Sequence, residues 1–138
     1  MLTLTNQARA QARTCADPGG QSGSFPAVPP LTWNVKLGNS ARGHSQDMAT
    51  HNYFAHDSQD GTTPFQRMNA AGYHYSAAGE NIAAGYSTPQ AVVNTWLSDY
   101  GHCANIMSSA FTELGVGYAY ATGSTYKHYW TQDFGRPR

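Results

Sequence analysis

The spacing of apolar residues changes from helical to strand-like along this chain. Between residues 34 and 52, buried-type side chains recur at steps of four, three and four, at Leu37, Ala41, His44 and Met48. This spacing predicts a helix with one buried stripe, which begins near Asn34 and ends near Asn52. The last third of the chain predicts two strands, residues 113–120 and 126–134, that form a hairpin around residues 122–124. Helices followed by paired strands are typical of an α+β domain.

Three further helices are predicted from propensities and capping residues. The first spans residues 4–15 with Thr5 as its cap, and a Gly/Ser/Pro-rich loop follows it to residue 30. Another begins at Thr63-Pro64 and continues to residue 71, before Gly72. A third begins at Thr88-Pro89 and ends at residues 100–101. Residues 73–87 predict a short strand or an irregular buried segment.

Length and charge exclude several classes of protein. A chain of 138 residues predicts one domain, residues 1–138, with residues 1–30 forming its N-terminal helix and loop. Eight basic and eight acidic residues give a net charge of zero, and no Lys/Arg cluster is present to bind nucleic acid or an anionic membrane. No apolar run approaches the roughly 20 residues that span a bilayer. A soluble monomer is expected.

The cysteines and the N-terminus bear on the compartment. Cys15 and Cys103 are the only cysteines, and their number alone fits either one disulfide or two buried thiols. Residues 1–4 lack the basic and apolar regions of a signal peptide. The expectation is a sequence that begins at the mature end of a secreted chain, with Met1 added.

The sequence contains none of the common catalytic motifs, but ionisable residues collect at four places. There is no G-x-S-x-G elbow, H-E-x-x-H motif, P-loop or dinucleotide fingerprint. The four places are His56 with Asp57, Glu80 beside Gly79, Asp99 with His102, and Glu113. Imidazole and carboxylate groups together suit zinc, although six histidines also produce chance pairs. The remaining histidines are predicted to be structural: His44 in the core, and His51, His74 and His128 at the surface.

Several ordered motifs resemble the CAP superfamily of cysteine-rich secretory, antigen 5 and pathogenesis-related-1 proteins, in its bacterial form. They are Tyr53-Phe54-Ala55-His56, Gly79-Glu80-Asn81-Ile82-Ala83, Gly101-His102-Cys103-Ala104-Asn105-Ile106-Met107 and Phe111-Thr112-Glu113-Leu114-Gly115-Val116-Gly117-Tyr118. Residues 31–34 and 41–49 resemble the opening helix, and residues 129–135 the closing strand. The resemblance covers residues 31–135.

The resemblance implies a fold, a site and a compartment. The fold is a three-layer α-β-α sandwich with a central antiparallel sheet, and Cys15 and Cys103 are expected to form a disulfide. In many members of this family a shallow cleft holds two histidines and two acids that can take up zinc or another divalent metal. By position these are His56, His102, Glu80 and Asp99, where Asp99 is one methylene shorter than the usual Glu and Glu113 is a possible supporting acid. The protein is expected to be secreted, extracellular or periplasmic, and bacterial.

Three functions follow from these implications. The first is an extracellular binding module for a small apolar molecule, a cell-wall component or another protein. The second is a metal-dependent, protease-like hydrolase in which His56 and His102 hold the metal and Glu80 acts as general base. In the third, the four residues only hold helices against the sheet through buried hydrogen bonds.

Overall fold

The computed structural model describes residues 1–138 as five helices and six strands. The helices are α1 Leu2–Arg9, α2 Val35–His51, α3 Pro64–Ala70, α4 Pro89–Leu97 and α5 Tyr100–Met107. The strands are β1 Arg13–Ala16, β2 Ser22–Phe25, β3 Thr32–Trp33, β4 Tyr75–Ala84, β5 Glu113–Tyr120 and β6 His128–Pro137. None of the helices is both long and apolar enough to cross a membrane.

A four-stranded sheet in the order β3-β5-β6-β4 forms the middle layer. β4, β6 and β5 pair antiparallel, and the two-residue β3 is parallel to β5. One face of the sheet packs against α2, and the other packs against the core built with α1, α4 and α5. The predicted α-β-α sandwich with a mainly antiparallel central sheet is therefore confirmed.

Helix α2 has the bounds that the sequence predicts. Asn34 caps its N-terminus by accepting hydrogen bonds from the backbone of Lys36 and Leu37. Asn52 ends the helix in the left-handed conformation, with φ of 53°. All four residues of the predicted stripe are fully buried. The residues that recur with the helical period therefore form the face of α2 that packs on the sheet.

Two glycines allow α2 to lie directly on β5. A Cβ atom at Gly115 would stand 2.1 Å from the backbone nitrogen of Gly38, and one at Gly117 would stand 2.3 Å from the backbone nitrogen of Arg42. Only a residue without a side chain fits at either position. This close approach fixes the distance between the sheet and the helix.

The predictions for the middle and the end of the chain are largely confirmed. Helix α3 begins with a capping box between Thr63 and Gln66, and Gly72 follows it with φ of 89°. Strand β4 is ten residues long, which resolves the open choice for residues 73–87. The hairpin forms as predicted, although β6 starts at His128 and continues to Pro137.

Two helix predictions were wrong at their ends. Helix α1 begins at Leu2 with Met1 as its cap, so Thr5 lies inside the helix and does not cap it. The helix ends at Arg9, and Cys15 lies in β1, because residues 13–16 pair with residues 22–25 of the predicted loop to form a small hairpin. Helix α4 ends at Leu97, and Tyr100 begins a new helix, α5. Asp99 caps α5 through its side chain, and the Asp17 side chain accepts from the backbone nitrogen of Tyr100. The pairing of β1 with β2 and the cap at Asp99 therefore end α1 and α4 earlier than helix propensity alone predicts.

The N-terminal elements are tied to α5 by a covalent and a polar contact. Cys15 of β1 and Cys103 of α5 form the expected disulfide, with a Cα–Cα distance of 5.6 Å. The buried guanidinium of Arg9 donates to backbone carbonyls that include those of Ile106 and Ser108, at the C-terminal end of α5. A cation is favoured at this end of a helix, and burial lowers the pKa of Arg9 to about 10. α5, which carries His102, is thus fixed from two sides.

Candidate functional site

The site is built around a buried carboxylate, Glu80, in the middle of β4. Nδ1 of His56 lies 3.0 Å from Oε1 of Glu80, and Nη2 of Arg67 donates to Oε1 and Oε2 over 3.1 and 2.8 Å. The Glu80 side chain is 2% exposed and the His56 side chain 49% exposed. Because Nδ1–H of His56 donates to the carboxylate, Nε2 is the ring nitrogen that is left free for another partner.

A second carboxyl lies directly across the sheet from the first. Asp133 of β6 is paired in register with Glu80, and its side chain is completely buried. Burial first, and then the charge of Glu80, raise the pKa of Asp133 well above its usual value of 3.8. Asp133 is therefore the neutral acid of the pair, and neither of its carboxyl oxygens has a hydrogen-bond partner.

Glu80 itself stays ionised. Burial alone would raise its pKa, but the hydrogen bond from His56, the neighbouring Asp133 carboxyl and the charge of Arg67 outweigh burial, so the pKa is lowered. The pair therefore holds one negative charge beside one guanidinium. A carboxylate held in this way is a poor proton acceptor, because protonation would sacrifice these contacts.

The second histidine forms its own pair on α5. Nδ1 of His102 lies 2.6 Å from Oδ2 of Asp99, and the same oxygen accepts from the His102 backbone nitrogen over 3.1 Å. This backbone hydrogen bond is the main cause of the lowered pKa of Asp99. As at His56, an acid takes Nδ1 and leaves Nε2 free.

Two asparagines connect the two pairs through the main chain. Asn105 Nδ2 donates to the carbonyl of Glu80 over 3.3 Å and to the Asn81 side chain over 2.9 Å. Asn81 Nδ2 donates to the carbonyl of His102 over 3.1 Å. The backbones that carry the two His/acid pairs are thus held at a fixed separation by buried amide hydrogen bonds.

Two hollows lie along β4, and the histidines open onto different ones. The first, here the polar hollow, has a volume of about 380 Å³ and is lined by His56, Asp57, Pro64, Phe65, Ala78, Gly79, Glu80 and Asn105. The second, the apolar hollow, has a volume of about 220 Å³ and is lined by Phe54, Ile82, Ala83, Ala84, Tyr86, Thr95, Trp96 and His102. A larger hollow of about 430 Å³, between α2 and residues 58–62, has no hydrophobic lining residue. Only the hollows along β4 combine apolar surface with an imidazole.

The predicted four-ligand metal set does not fit the observed contacts. Each carboxylate faces an imidazole Nδ1, and Glu80 is also held by the positive charge of Arg67, which opposes a cation there. No three His, Cys, Asp or Glu side chains lie close enough together to hold a metal ion. The donor chemistry suits a metal only through the two Nε2 atoms, with the acids as acceptors behind the rings.

The structure places Glu113 away from both pairs. Its carboxylate accepts from the Tyr73 hydroxyl over 2.8 Å and from Asn34 Nδ2 over 3.4 Å. Burial, and then this carboxylate, raise the pKa of Tyr73. Glu113 thus ties the start of β5 to the cap of α2 and to Tyr73, and it does not support the histidines.

His44 is in the core and His51 and His74 are exposed, as predicted, whereas His128 is half-buried beside two tyrosines. His44 is buried and its Nε2 lies 2.7 Å from the carbonyl of Ala55.

Several site residues were not predicted. Asn81 and Asn105 belong to the motifs that resemble the CAP superfamily, but the sequence predicted no function for either residue. Arg67 and Asp133 gave no local signal, because only the folded sheet and α3 bring them to Glu80.

Comparison with known proteins identifies the family of this chain. The model of the family described as "Cysteine-rich secretory protein family" (CAP) matches residues 27–134. The chain belongs to the CAP family. The uncharacterized proteins YkwD and YlbC of Bacillus subtilis (strain 168), the second a membrane protein, are 46% identical over 105 residues and 36% identical over 104 residues. The matches cover 76% and 75% of this CAP chain but only 39% and 28% of those relatives.

Solved structures show the same fold. An extracellular SCP-domain protein from Bacillus anthracis str. Ames is 38% identical, with a TM-score of 0.69 over 79% of this chain and 34% of that one. An outer surface protein from Borrelia burgdorferi is 21% identical, with a TM-score of 0.71 over 78% of both chains. The second likeness concerns the fold alone. The Bacillus anthracis structure and the Bacillus subtilis relatives support the bacterial type of CAP domain.

Proposed function

We propose that this CAP domain is an extracellular binding module whose ligand lies along β4, in the polar and apolar hollows. The observation that carries the proposal is the state of Glu80. Its two oxygens are held by Arg67 and His56, so the carboxylate orients the imidazole and leaves His56 Nε2 as the free polar group. The His56 side chain is half exposed and available to a ligand.

The lining of the hollows supports a small apolar molecule with one hydrogen-bonding group. Phe54, Ile82 and Trp96 give the apolar hollow its hydrophobic surface, and burial of apolar area is the main source of affinity for such ligands. Nε2 of His56 or His102 supplies a hydrogen-bond acceptor at the neighbouring polar surface. A cell-wall component or a protein is the alternative ligand within the same proposal. We also propose that the protein is secreted, which the extracellular relative from Bacillus anthracis supports.

Hydrolysis with Glu80 as general base is less well supported. The lowered pKa of Glu80 and its ion pair with Arg67 make the carboxylate a weak base at this position. Zinc binding remains a proposal in which the free Nε2 atom of His56 or of His102 would hold the ion, and the ion would supply Lewis acidity. The structural role is supported in part, since the Arg67–Glu80 pair ties α3 to the sheet.

The proposal is tested by mapping where small probes bind. Indole, octanol and N-acetylmuramyl dipeptide would be titrated into the ¹⁵N-labelled chain. We expect amide shifts at residues 82–84 and near Phe54 with indole or octanol, weakened in Phe54→Ala and His56→Ala. His74→Ala, at an exposed histidine outside the hollows, serves as the matched control. Shifts confined to other surfaces, or equal binding by all variants, would contradict the proposal.

A further inference from the structure

A group of aromatic side chains lies at the end of β5, on the sheet face opposite α2. Tyr118 and Tyr120 are two residues apart on β5 and therefore point to the same face. They are 44% and 50% exposed, whereas Ala119 between them is buried on the α2 side. Their cross-strand partners on β6 are Trp130 and His128. We name Tyr118, Tyr120 and His128, with Trp130 beneath them, the tyrosine platform.

The rings of the platform are held in position by one another. The Tyr118 and Trp130 ring centroids are 4.4 Å apart, and those of Tyr120 and His128 are 4.9 Å apart. The Tyr118 hydroxyl forms a 2.7 Å hydrogen bond with His128 Nδ1. Trp130 is fixed in turn because its Nε1 donates to the carbonyl of Tyr86 over 2.7 Å. A ligand would therefore meet ordered rings and would lose little entropy in arranging them.

The chemistry of the platform excludes several occupants. It contains no Lys, Arg, Asp or Glu, so it lacks the cationic groups that bind nucleic acid and other polyanions. It is an open sheet face with a polar group on each exposed ring, whereas apolar ligands bind in concave sites that enclose them. The two tyrosines expose about 200 Å² together, since a whole tyrosine can bury about 150–250 Å². A stable dimer needs about 800 Å² from each partner.

We infer that the tyrosine platform binds a neutral saccharide chain. A pyranose ring has an apolar C–H face that stacks on an aromatic ring and an equatorial rim of hydroxyls that donate and accept hydrogen bonds. Tyr118 and Tyr120, spaced about 7 Å apart along the strand, offer stacking surfaces to neighbouring sugar units. The free ring nitrogen of His128 and the phenol groups face the hydroxyls. The uncharged platform matches an uncharged ligand, and the inference does not rest on the function proposed for the hollows.

The experiment measures binding of the hexamers of N-acetylglucosamine and of β-1,4-linked glucose to the whole chain by titration calorimetry. We expect at least one hexamer to bind with a dissociation constant of about 1 mM or tighter. Tyr118→Ala and Tyr120→Ala should each weaken that binding about tenfold or more, and Tyr120→Phe should retain most of it. Tyr126→Ala is the matched control, because Tyr126 is 47% exposed but packs on Phe54 and Tyr129.

Three outcomes would overturn the inference. One is the absence of binding by both hexamers, and another is an equal loss of affinity in Tyr126→Ala. The third is self-association of the chain in sedimentation that Tyr120→Ala abolishes, which would assign the platform to a second copy. His56→Ala should leave saccharide binding unchanged, so that failure at the hollows and failure at the platform are distinguished.

Discussion

Arg67 and Glu80 form an ion pair in which the guanidinium donates to both carboxylate oxygens, over 3.1 and 2.8 Å. Arg67 belongs to α3 and Glu80 to the middle of β4, so the pair joins a surface helix to the sheet. Both side chains are largely buried, at 12% and 2% exposure. The positive charge of Arg67 thus compensates the negative charge of Glu80, which burial separates from water.

Removal of Arg67 should therefore destabilise the fold strongly. Arg67→Met leaves Glu80 buried without its counter-charge, and we expect a loss of about 3–5 kcal/mol in the free energy of unfolding. Arg67→Met combined with Glu80→Gln should lose less, because the buried charge is gone. Urea denaturation measures both, and exposed Arg42→Met should stay within about 0.5 kcal/mol of the parent. A double variant no more stable than Arg67→Met would contradict this account.

The neutral acid Asp133 should give stability a distinctive dependence on pH. Its pKa in the folded state is raised above the usual 3.8, so its proton is bound more tightly in the folded chain. Stability from this group is complete below about pH 4 and is lost as the pH rises toward the folded pKa. Asp133→Asn removes that loss and keeps a neutral side chain of the same shape opposite Glu80.

Consequently Asp133→Asn should gain stability relative to the parent as the pH rises from about 4, by about 1.4 kcal/mol per pH unit until the folded pKa is reached. Urea denaturation of both chains at about pH 4, 5.5 and 7 provides the comparison. Glu80, whose pKa is lowered, contributes the opposite slope on the acid side in both chains. Parallel stability curves would show that Asp133 is ionised in the folded state.

The disulfide should contribute much of the stability of the N-terminal elements. Cys15 and Cys103 are 88 residues apart in sequence, and closing a loop of that size restricts the unfolded chain by about 4–5 kcal/mol. Cys15→Ala combined with Cys103→Ala should lose about that amount in urea denaturation. Because α5 also carries His102, the His102 resonance should broaden in the variant while that of His74 stays unchanged. Equal stability of the two chains would refute the prediction.

Zinc binding should depend on the imidazoles and on pH. We expect weak binding at about pH 7.5 that the His56→Ala/His102→Ala double variant abolishes and that is lost toward about pH 5, because protons compete with the metal for imidazole nitrogens. Glu80→Gln should weaken it about 10- to 100-fold through the orientation of His56. Calorimetric titration measures these effects, with His51→Ala/His74→Ala as control. Binding that is indifferent to His56 and His102, or unchanged at pH 5, would rule out histidine ligation.

Local sequence signals predicted the helices and strands whose ends are set by interactions within a few residues. Asn34 and Asn52 bound α2, Thr63 and Pro64 begin α3, and apolar alternation marks β5, because capping and periodicity act within a few residues. The end of α1 could not be predicted in this way. Cys15 lies in a strand because β1 pairs with β2. This pairing joins two separate segments, and the helix propensity of either segment alone does not reveal it.

The site shows the same division. The motifs around His56, Glu80 and His102 identified the right strands and helices, and the position of Asp99 three residues before His102 placed those two side chains together. Only the tertiary structure put Asp133 opposite Glu80, Arg67 over its carboxylate, and the two histidines on separate hollows. Register across the sheet and the docking of α3 decide these contacts, and both depend on residues far apart in the sequence. Whether a carboxylate is a ligand, a base or an orienting group is set by its buried neighbours, which the sequence by itself does not specify.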